Sequence, residues 1–135
     1  MLGRHDYVLD AFRRPQIPES KWLIVEGAGG VMVPLNDTEF MRDLIKGLGF
    51  PVVLVASTAL GTINHTLLSL EALRHTGIEV LGVVLNGDEN KDNLEAIRHF
   101  GRVPILGWVP PLARISRQEL RRTFDAHFDK SYFPL

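Results

Sequence analysis

Short runs of consecutive apolar residues, most of them β-branched, recur along the chain. They cover residues 22–25, 52–55 and 80–85, and a weaker run covers residues 103–106. Apolar runs without alternation are typical of strands that are buried on both faces, as in a parallel sheet. The pattern therefore predicts four strands.

The segments between these runs carry apolar residues at helical spacing. Three helices are predicted there: residues 40–48 with Asn36 or Asp37 as the N-cap, residues 63–73 ending before Gly77, and residues 94–100 ending at Gly101. Because these helices alternate with the apolar runs over short connections, the sequence predicts an α/β domain.

Two further helices are predicted near the ends of the chain. Ser116 and Glu119 have the spacing of a capping box, so a helix is expected to follow them. Residues 5–13 are expected to form a first helix, which the prolines at 15 and 18 terminate. With these additions we expect one domain over residues 1–135, a parallel sheet flanked by helices.

Composition narrows the class of protein. The chain of 135 residues has 15 Lys plus Arg against 16 Asp plus Glu, a formal net charge of -1, and 45% hydrophobic residues. This balance argues against a generally basic nucleic-acid surface. No apolar run approaches the roughly 20 residues of a membrane span, and the N-terminus lacks the apolar region of a secretory signal. The absence of Cys excludes disulfides and thiolate zinc sites, so redox chemistry does not constrain the compartment, and the cytoplasm is the default expectation.

A carboxylate and three glycines follow the first apolar run. In an open parallel sheet, ligands bind at the carboxyl ends of the strands, so Glu26 is expected at that edge. A carboxylate there resembles the acidic end of a Walker B strand, which holds Mg²⁺. Gly27, Gly29 and Gly30 allow backbone N–H groups to approach an anion closely. The alternative is a tight turn with a solvated Glu26.

Small and hydroxyl residues after the second run lead into a predicted helix start. Free N–H groups and the helix dipole there favour a carboxylate or a phosphate. The alternative is ordinary N-capping by Thr58 or Thr62. His65 is a candidate general base or a structural hydrogen-bonding residue, and no Ser–His–Asp arrangement accompanies it.

The last two runs also end in candidate ligand-binding loops. Asn86 and Gly87 follow the third run, and the Asn amide can offer a donor and an acceptor to a base edge, or the pair can form a simple turn. A rigid apolar loop containing Trp108 and Pro110 follows the fourth run. It could pack against a flat ring, or it could simply cover the core.

Together these loops resemble the dethiobiotin synthetase family. Residues 25–30, Val-Glu-Gly-Ala-Gly-Gly, with Val-Pro-Leu at 33–35 resemble one signature of that family, and residues 60–68 resemble its Leu-Gly-x-Ile-Asn-His segment. Asn86 and the Gly-Trp-Val-Pro loop at 107–110 fall where the family has an Asn and a Gly-x-hydrophobic-Pro loop. The resemblance runs from about residue 20 to about residue 112.

The resemblance implies a P-loop NTPase-like fold and an ATP- and Mg²⁺-dependent ring-closing carboxylation of 7,8-diaminononanoate with CO2, in biotin synthesis. Its implied ATP-binding residues are Glu26, which would also bind the metal, with Gly27, Ala28, Gly29, Asn86, Gly87, Pro110, Pro111 and Leu112. Its implied substrate-binding residues are Gly61, Thr62, Ile63 and Asn64, which would hold the substrate carboxylate across a homodimer interface.

One element of the family is missing from the sequence. There is no Gly-x-x-x-x-Gly-Lys-Ser/Thr, so the catalytic Lys that the family carries after this loop is not identified in the sequence, and the resemblance assigns no catalytic residue here. We therefore expect the C-terminal part of the family's fold, an incomplete sheet without its P-loop strand, inactive unless a P-loop-bearing N-terminal half joins it. Two alternatives stay open: a truncated, non-catalytic homologue that binds a ligand or dimerises, and a fragment of a cobyrinate-type amidation enzyme.

Overall fold

A parallel three-stranded sheet organises the part of the chain that the structure describes, a computed structural model covering residues 16, 18 and 22–133. The strands are β1 (Val52–Ser57), β2 (Val80–Asn86) and β3 (Ile105–Val109), in the order β1-β2-β3. The second and third apolar runs of the sequence are thus confirmed as strands. The helix predicted at residues 5–13 lies outside the described residues.

Helices alternate with these strands as the sequence predicts. The described residues form four α-helices: α1 (Met41–Leu48), α2 (Thr62–His75), α3 (Lys91–Gly101) and α4 (Arg117–His127). Ser116 caps α4, since its hydroxyl oxygen accepts a hydrogen bond from the Glu119 N–H at 3.2 Å. The Glu119 carboxylate pairs with Arg122 at 2.9 Å, so only one half of the expected capping box forms.

The hydrophobic core lies between one face of the sheet and helices α2 and α3. Its buried members are Ala56, Leu70, Val83, Leu85, Ile97 and Val103. The central strand β2 supplies two of them, and its residues from 82 to 85 are all buried, as a strand covered on both faces requires. β2 is therefore the buried central strand, and β1 and β3 pair with it on either side.

The fourth apolar run becomes a strand two residues later than predicted. Residues 103–106 were expected, whereas β3 begins at Ile105. Val103 is buried in the core and Pro104 has no N–H to donate, although its carbonyl accepts from the Val83 N–H at 2.9 Å. The apolar pattern therefore marks burial here and not the start of the ladder.

The N-cap predicted for α1 was wrong. Phe40, and not Asn36 or Asp37, is the N-cap residue, and the Asp43 carboxylate accepts from the Phe40 N–H at 2.7 Å. The Asn36 side chain instead holds a turn that precedes the helix, because its oxygen accepts from the N–H of Glu39 at 2.8 Å. Asn36 is thus a turn residue and not a helix cap.

The first apolar run does not form a strand. Residues 22–25 have no strand assignment, and Trp22 and Ile24 are 77% and 89% exposed. A strand needs a neighbour that accepts its hydrogen bonds and a surface that covers its side chains, and no described strand lies beside this run. The prediction of a strand here was wrong for the described chain.

A C-terminal segment pairs with the edge of β3 that does not face β2. Phe128 forms a β-bridge with Gly107, and the Asp129 N–H donates to the Leu106 carbonyl at 3.0 Å.

None of the helices in the described residues is long and apolar enough to cross a membrane.

Candidate functional site

The carboxyl ends of the three strands meet at one edge of the sheet. Ser57 is the register partner of Asn86, and Asn86 is the partner of Val109. The Thr58 N–H donates to the Asn86 carbonyl at 3.1 Å, and the Gly87 N–H donates to the Val109 carbonyl at 3.0 Å. Three of the loops predicted to carry chemistry are therefore joined by backbone hydrogen bonds.

Gly87 adopts a backbone conformation that favours glycine. Its φ is 133°, and a Cβ at this position would collide with the Thr58 hydroxyl oxygen. The preceding residue, Asn86, is exposed, and its side-chain amide forms no hydrogen bond within the described chain. The amide is thus free to offer its donor and its acceptor to a ligand at this edge.

The apolar loop after β3 borders the same edge. Pro110 and Leu112 are half-buried, and Pro111 is exposed. Leu112 also contributes to a shallow depression of about 260 Å³ at the start of α4. The loop directly follows Val109, the register partner of Asn86, so apolar residues and an exposed amide come at the ends of neighbouring strands.

The start of α2 lies directly after the end of β1. Gly61 is the N-cap residue with a φ of 92°, and no side chain caps the helix, so the N-capping alternative for Thr58 or Thr62 was wrong. The Thr62 hydroxyl instead donates to the Ser57 carbonyl, and Thr62 is buried. This hydrogen bond ties the helix start to the strand end.

The first turn of α2 keeps open backbone donors. The Thr62 N–H donates to Ala59 at 3.1 Å and the His65 N–H to Gly61 at 3.0 Å, whereas the N–H groups of Ile63 and Asn64 have no acceptor within the described chain. Gly61 and Asn64 are exposed. Open N–H groups at a helix start favour a carboxylate or a phosphate.

The glycine loop of residues 26–30 is positioned by α1 rather than by the sheet. A Cβ on Gly27 would lie 3.2 Å from the sulfur of Met41, and Gly29, with a φ of 77°, packs against Val33. Glu26 and Ala28 are exposed. Because residues 22–25 form no strand, the expectation that Glu26 lies at the sheet edge loses its structural basis, and its role stays a prediction.

Among the described residues, clearly shifted pKa values occur in the C-terminal segment. The groups with a clearly shifted pKa are Asp125 and Asp129, in the C-terminal segment, where hydrogen bonds from Lys130 and Ser131 respectively hold the pKa of each carboxyl below its ordinary range. No cluster of three or more His, Asp or Glu able to hold a metal occurs in the described chain. A metal at Glu26 would therefore need oxygen ligands from a phosphate.

Sequence reasoning missed the side chain that links two of these loops. The indole N–H of Trp108 donates to the Gly87 carbonyl at 2.8 Å. The sequence signal was a tryptophan in the loop predicted after the fourth apolar run, which indicates an amphipathic ring with one donor but does not reveal the acceptor.

Comparison with known proteins places the chain in a family. The sequence profile of a family described as AAA domain matches residues 5–119. The chain is 48% identical over 105 residues to the ATP-dependent dethiobiotin synthetase BioD of Lawsonia intracellularis, which covers 78% of this chain and 52% of that protein. It is 46% identical over 125 residues to the enzyme of the same name from Rhodopseudomonas palustris, covering 93% of this chain and 59% of that protein.

A third relative has a different length. The biotin biosynthesis bifunctional protein BioCD of Bordetella avium is 50% identical over 110 residues, which make up 82% of this chain and 24% of that protein. The chain thus spans about half the length of the dethiobiotin synthetases that it matches. The parallel sheet with flanking helices is the incomplete P-loop NTPase-like fold expected from the sequence. The chain belongs to the AAA-domain family and, within it, to the dethiobiotin synthetase family.

Proposed function

We propose that this chain supplies the nucleotide-base and substrate-carboxylate sites of a dethiobiotin synthetase. One amine of 7,8-diaminononanoate adds to CO2 and gives a carbamate. A carbamate oxygen attacks the γ-phosphorus of ATP, which forms a mixed anhydride and releases ADP. The second amine then attacks the carbamoyl carbon, phosphate leaves, and the cyclic urea of dethiobiotin results.

The observation that carries this proposal is the convergence of two unlike sites at one sheet edge. The Asn86 amide is exposed and forms no hydrogen bond within the described residues, and the apolar loop of residues 110–112 directly follows its register partner Val109, which suits a base. The start of α2 offers open N–H groups, which suit an anion. A sheet edge with these two features supports binding of ATP together with a carboxylate-bearing substrate.

The residues divide between the two ligands. Asn86 and Gly87 bind the adenine edge, and Pro110, Pro111 and Leu112 contact its ring. Gly27, Ala28 and Gly29 lie beside the γ-phosphate, where their backbone can approach an anion closely. Gly61, Thr62, Ile63 and Asn64 bind the substrate carboxylate, which reaches them from the other subunit of a homodimer.

The donor set fits Mg²⁺ at Glu26. The Glu26 carboxylate is exposed and forms no ion pair within the described residues. Magnesium in phosphoryl-transfer sites is typically held by one or two carboxylates plus phosphate oxygens and water, so a single carboxylate suffices. When bound, the ion neutralises charge that develops on the transferred phosphoryl group.

The triphosphate needs a further contact that residues 1–135 do not contain. Phosphoryl transfer depends on positioning and electrostatics, and a backbone cradle with its Lys contributes several orders of magnitude in rate. We propose that a P-loop-bearing N-terminal half completes the site, that residues 1–135 act as one α/β domain, and that the assembly works in the cytoplasm.

Reconstitution tests the proposal. The chain is mixed with the N-terminal half of the Lawsonia intracellularis relative, and dethiobiotin is measured from labelled bicarbonate with ATP, Mg²⁺ and 7,8-diaminononanoate. We expect labelled dethiobiotin from the mixture and none above background from either piece. A folded complex that makes no dethiobiotin would contradict the proposal and would favour a non-catalytic binding module.

A further inference from the structure

The Trp108 side chain joins the two loops assigned to the base. Trp108 lies on β3 as the register partner of Leu85, and its side chain reaches Gly87, the residue that follows β2. Its indole N–H donates to the Gly87 carbonyl at 2.8 Å, and the Gly87 N–H donates to the Val109 carbonyl at 3.0 Å. Both hydrogen-bonding groups of Gly87 are thus held by β3.

The Gly87 backbone, which these hydrogen bonds hold, has an uncommon conformation. Its φ of 133° is available to glycine and rarely to other residues. On the β1 side, the Thr58 N–H fixes the Asn86 carbonyl at 3.1 Å. The backbone on both sides of the Asn86 side chain therefore has a fixed orientation, while the side chain itself is exposed and forms no hydrogen bond with the residues that the structure describes.

The ring of Trp108 also contacts the last residue of α4. The His127 ring packs edge-on against it, with centroids 4.8 Å apart and planes at 71°. Trp108 also packs against the core and is half-buried. A phenylalanine would fill most of this volume, so the indole N–H is what distinguishes tryptophan here.

We propose that Trp108 is a positioning residue for base selection, which fixes the Asn86–Gly87 turn through its indole N–H. This inference rests on the proposed function, because it assumes that Asn86 reads the base. Loss of the N–H leaves the Gly87 carbonyl to water and lets the turn sample other orientations. The resulting loss of affinity affects ligands whose base contacts Asn86, whereas the affinity of the phosphate contacts stays the same.

The test compares ligands with and without an adenine. Affinities of the full chain for ATP, GTP and inorganic tripolyphosphate are measured by calorimetry for the wild type and for Trp108→Phe. One hydrogen bond is worth about a threefold to tenfold change in affinity. We expect the preference for ATP over GTP to fall by that factor, with tripolyphosphate affinity unchanged within about twofold.

The other tryptophan provides a matched control. Trp22 is exposed and remote from the base loops in sequence, so Trp22→Phe should keep the wild-type preference. If Trp108→Phe does not fold, benzothienylalanine is incorporated at position 108 in the Trp22→Phe chain. This residue keeps the shape of the indole and replaces the N–H with sulfur.

The outcomes separate this inference from the proposed function. A wild-type chain that binds ATP no better than tripolyphosphate overturns the base site, and the role of Trp108 with it. A preference for ATP over GTP that stays at the wild-type value in the folded variant, whether Trp108→Phe or benzothienylalanine at position 108, overturns the role of Trp108 alone. An equal loss for all three ligands also overturns it, because Trp108 would then support only the fold.

Discussion

The Thr62 hydroxyl donates to the carbonyl of Ser57, so the first residue of α2 is tied to the last residue of β1. Thr62 is buried at 4% exposure, and its hydroxyl oxygen also lies 3.5 Å from that of Thr66. The helix start proposed for the substrate carboxylate is therefore fixed relative to the strand end by a side chain, in the absence of any side-chain N-cap.

Replacing Thr62 by Val tests this connection. The substitution keeps the shape and removes the donor, so it should lower the free energy of unfolding by about 1 kcal/mol. Urea denaturation followed by circular dichroism measures the effect. Thr62→Ser is the matched control, since it keeps the hydroxyl and should lose less. Equal losses for the two variants would show that the hydroxyl does not contribute.

Asn86→Ala tests the reading of the base. Removing the amide should weaken ATP by about tenfold and tripolyphosphate by much less, because one or two hydrogen bonds to the base are lost. Calorimetry on the folded variant gives both affinities. Asn93→Ala, on α3, serves as the control and should bind like the wild type. Equal weakening of every nucleotide and of tripolyphosphate would remove Asn86 from the base site.

Glu26→Gln tests the metal site. The substitution keeps the size of the side chain and removes its charge, so nucleotide binding should lose most of its dependence on Mg²⁺. Nucleotide affinity of the reconstituted assembly is titrated against Mg²⁺ concentration. Glu79→Gln changes an exposed carboxylate just before β2, at the opposite edge of the sheet, and should leave the titration unchanged. Metal dependence that is the same in both variants would exclude Glu26.

The carboxyl of Asp125 should titrate below its ordinary range. Lys130 lies 2.6 Å away, and its hydrogen bond and charge lower the pKa of Asp125. A lowered pKa in the folded state gives stability that is present above the unfolded pKa and is lost as the pH falls through the folded one. Carboxyl carbon NMR should show the pKa rising toward its ordinary value in Lys130→Gln and staying low in Lys91→Gln. No rise in Lys130→Gln would contradict the assignment of the cause.

The sequence was sufficient to predict the strands and helices whose packing and pairing partners also lie in the described chain. The runs at 52–55 and 80–85 became β1 and β2 because α2 and α3 cover one face of them and each strand has a neighbour. Leu70 and Ile97, predicted on helical faces, are buried against that face. Local pattern and tertiary context agree there, and the predictions were confirmed.

The failures have a common physical origin. Residues 22–25 are as apolar as β1, yet apolar character specifies neither the strand that pairs with a run nor the surface that covers it. The Trp108 hydrogen bond spans 21 residues, and only the sheet register brings donor and acceptor together. The loops that follow confirmed strands could be located from the sequence, whereas the position of Glu26 depended on a strand that is not formed in the described chain.

The most direct measurement is an amide NMR map of the chain with each ligand in turn. We expect ATP with Mg²⁺ to shift the amide signals of Asn86, Gly87 and Leu112 and 7,8-diaminononanoate to shift those of residues 61–64, with the two sets adjoining at the ends of β1, β2 and β3. Shifts confined to the groove between α2 and α3, which Leu67 and Phe100 line, would contradict it.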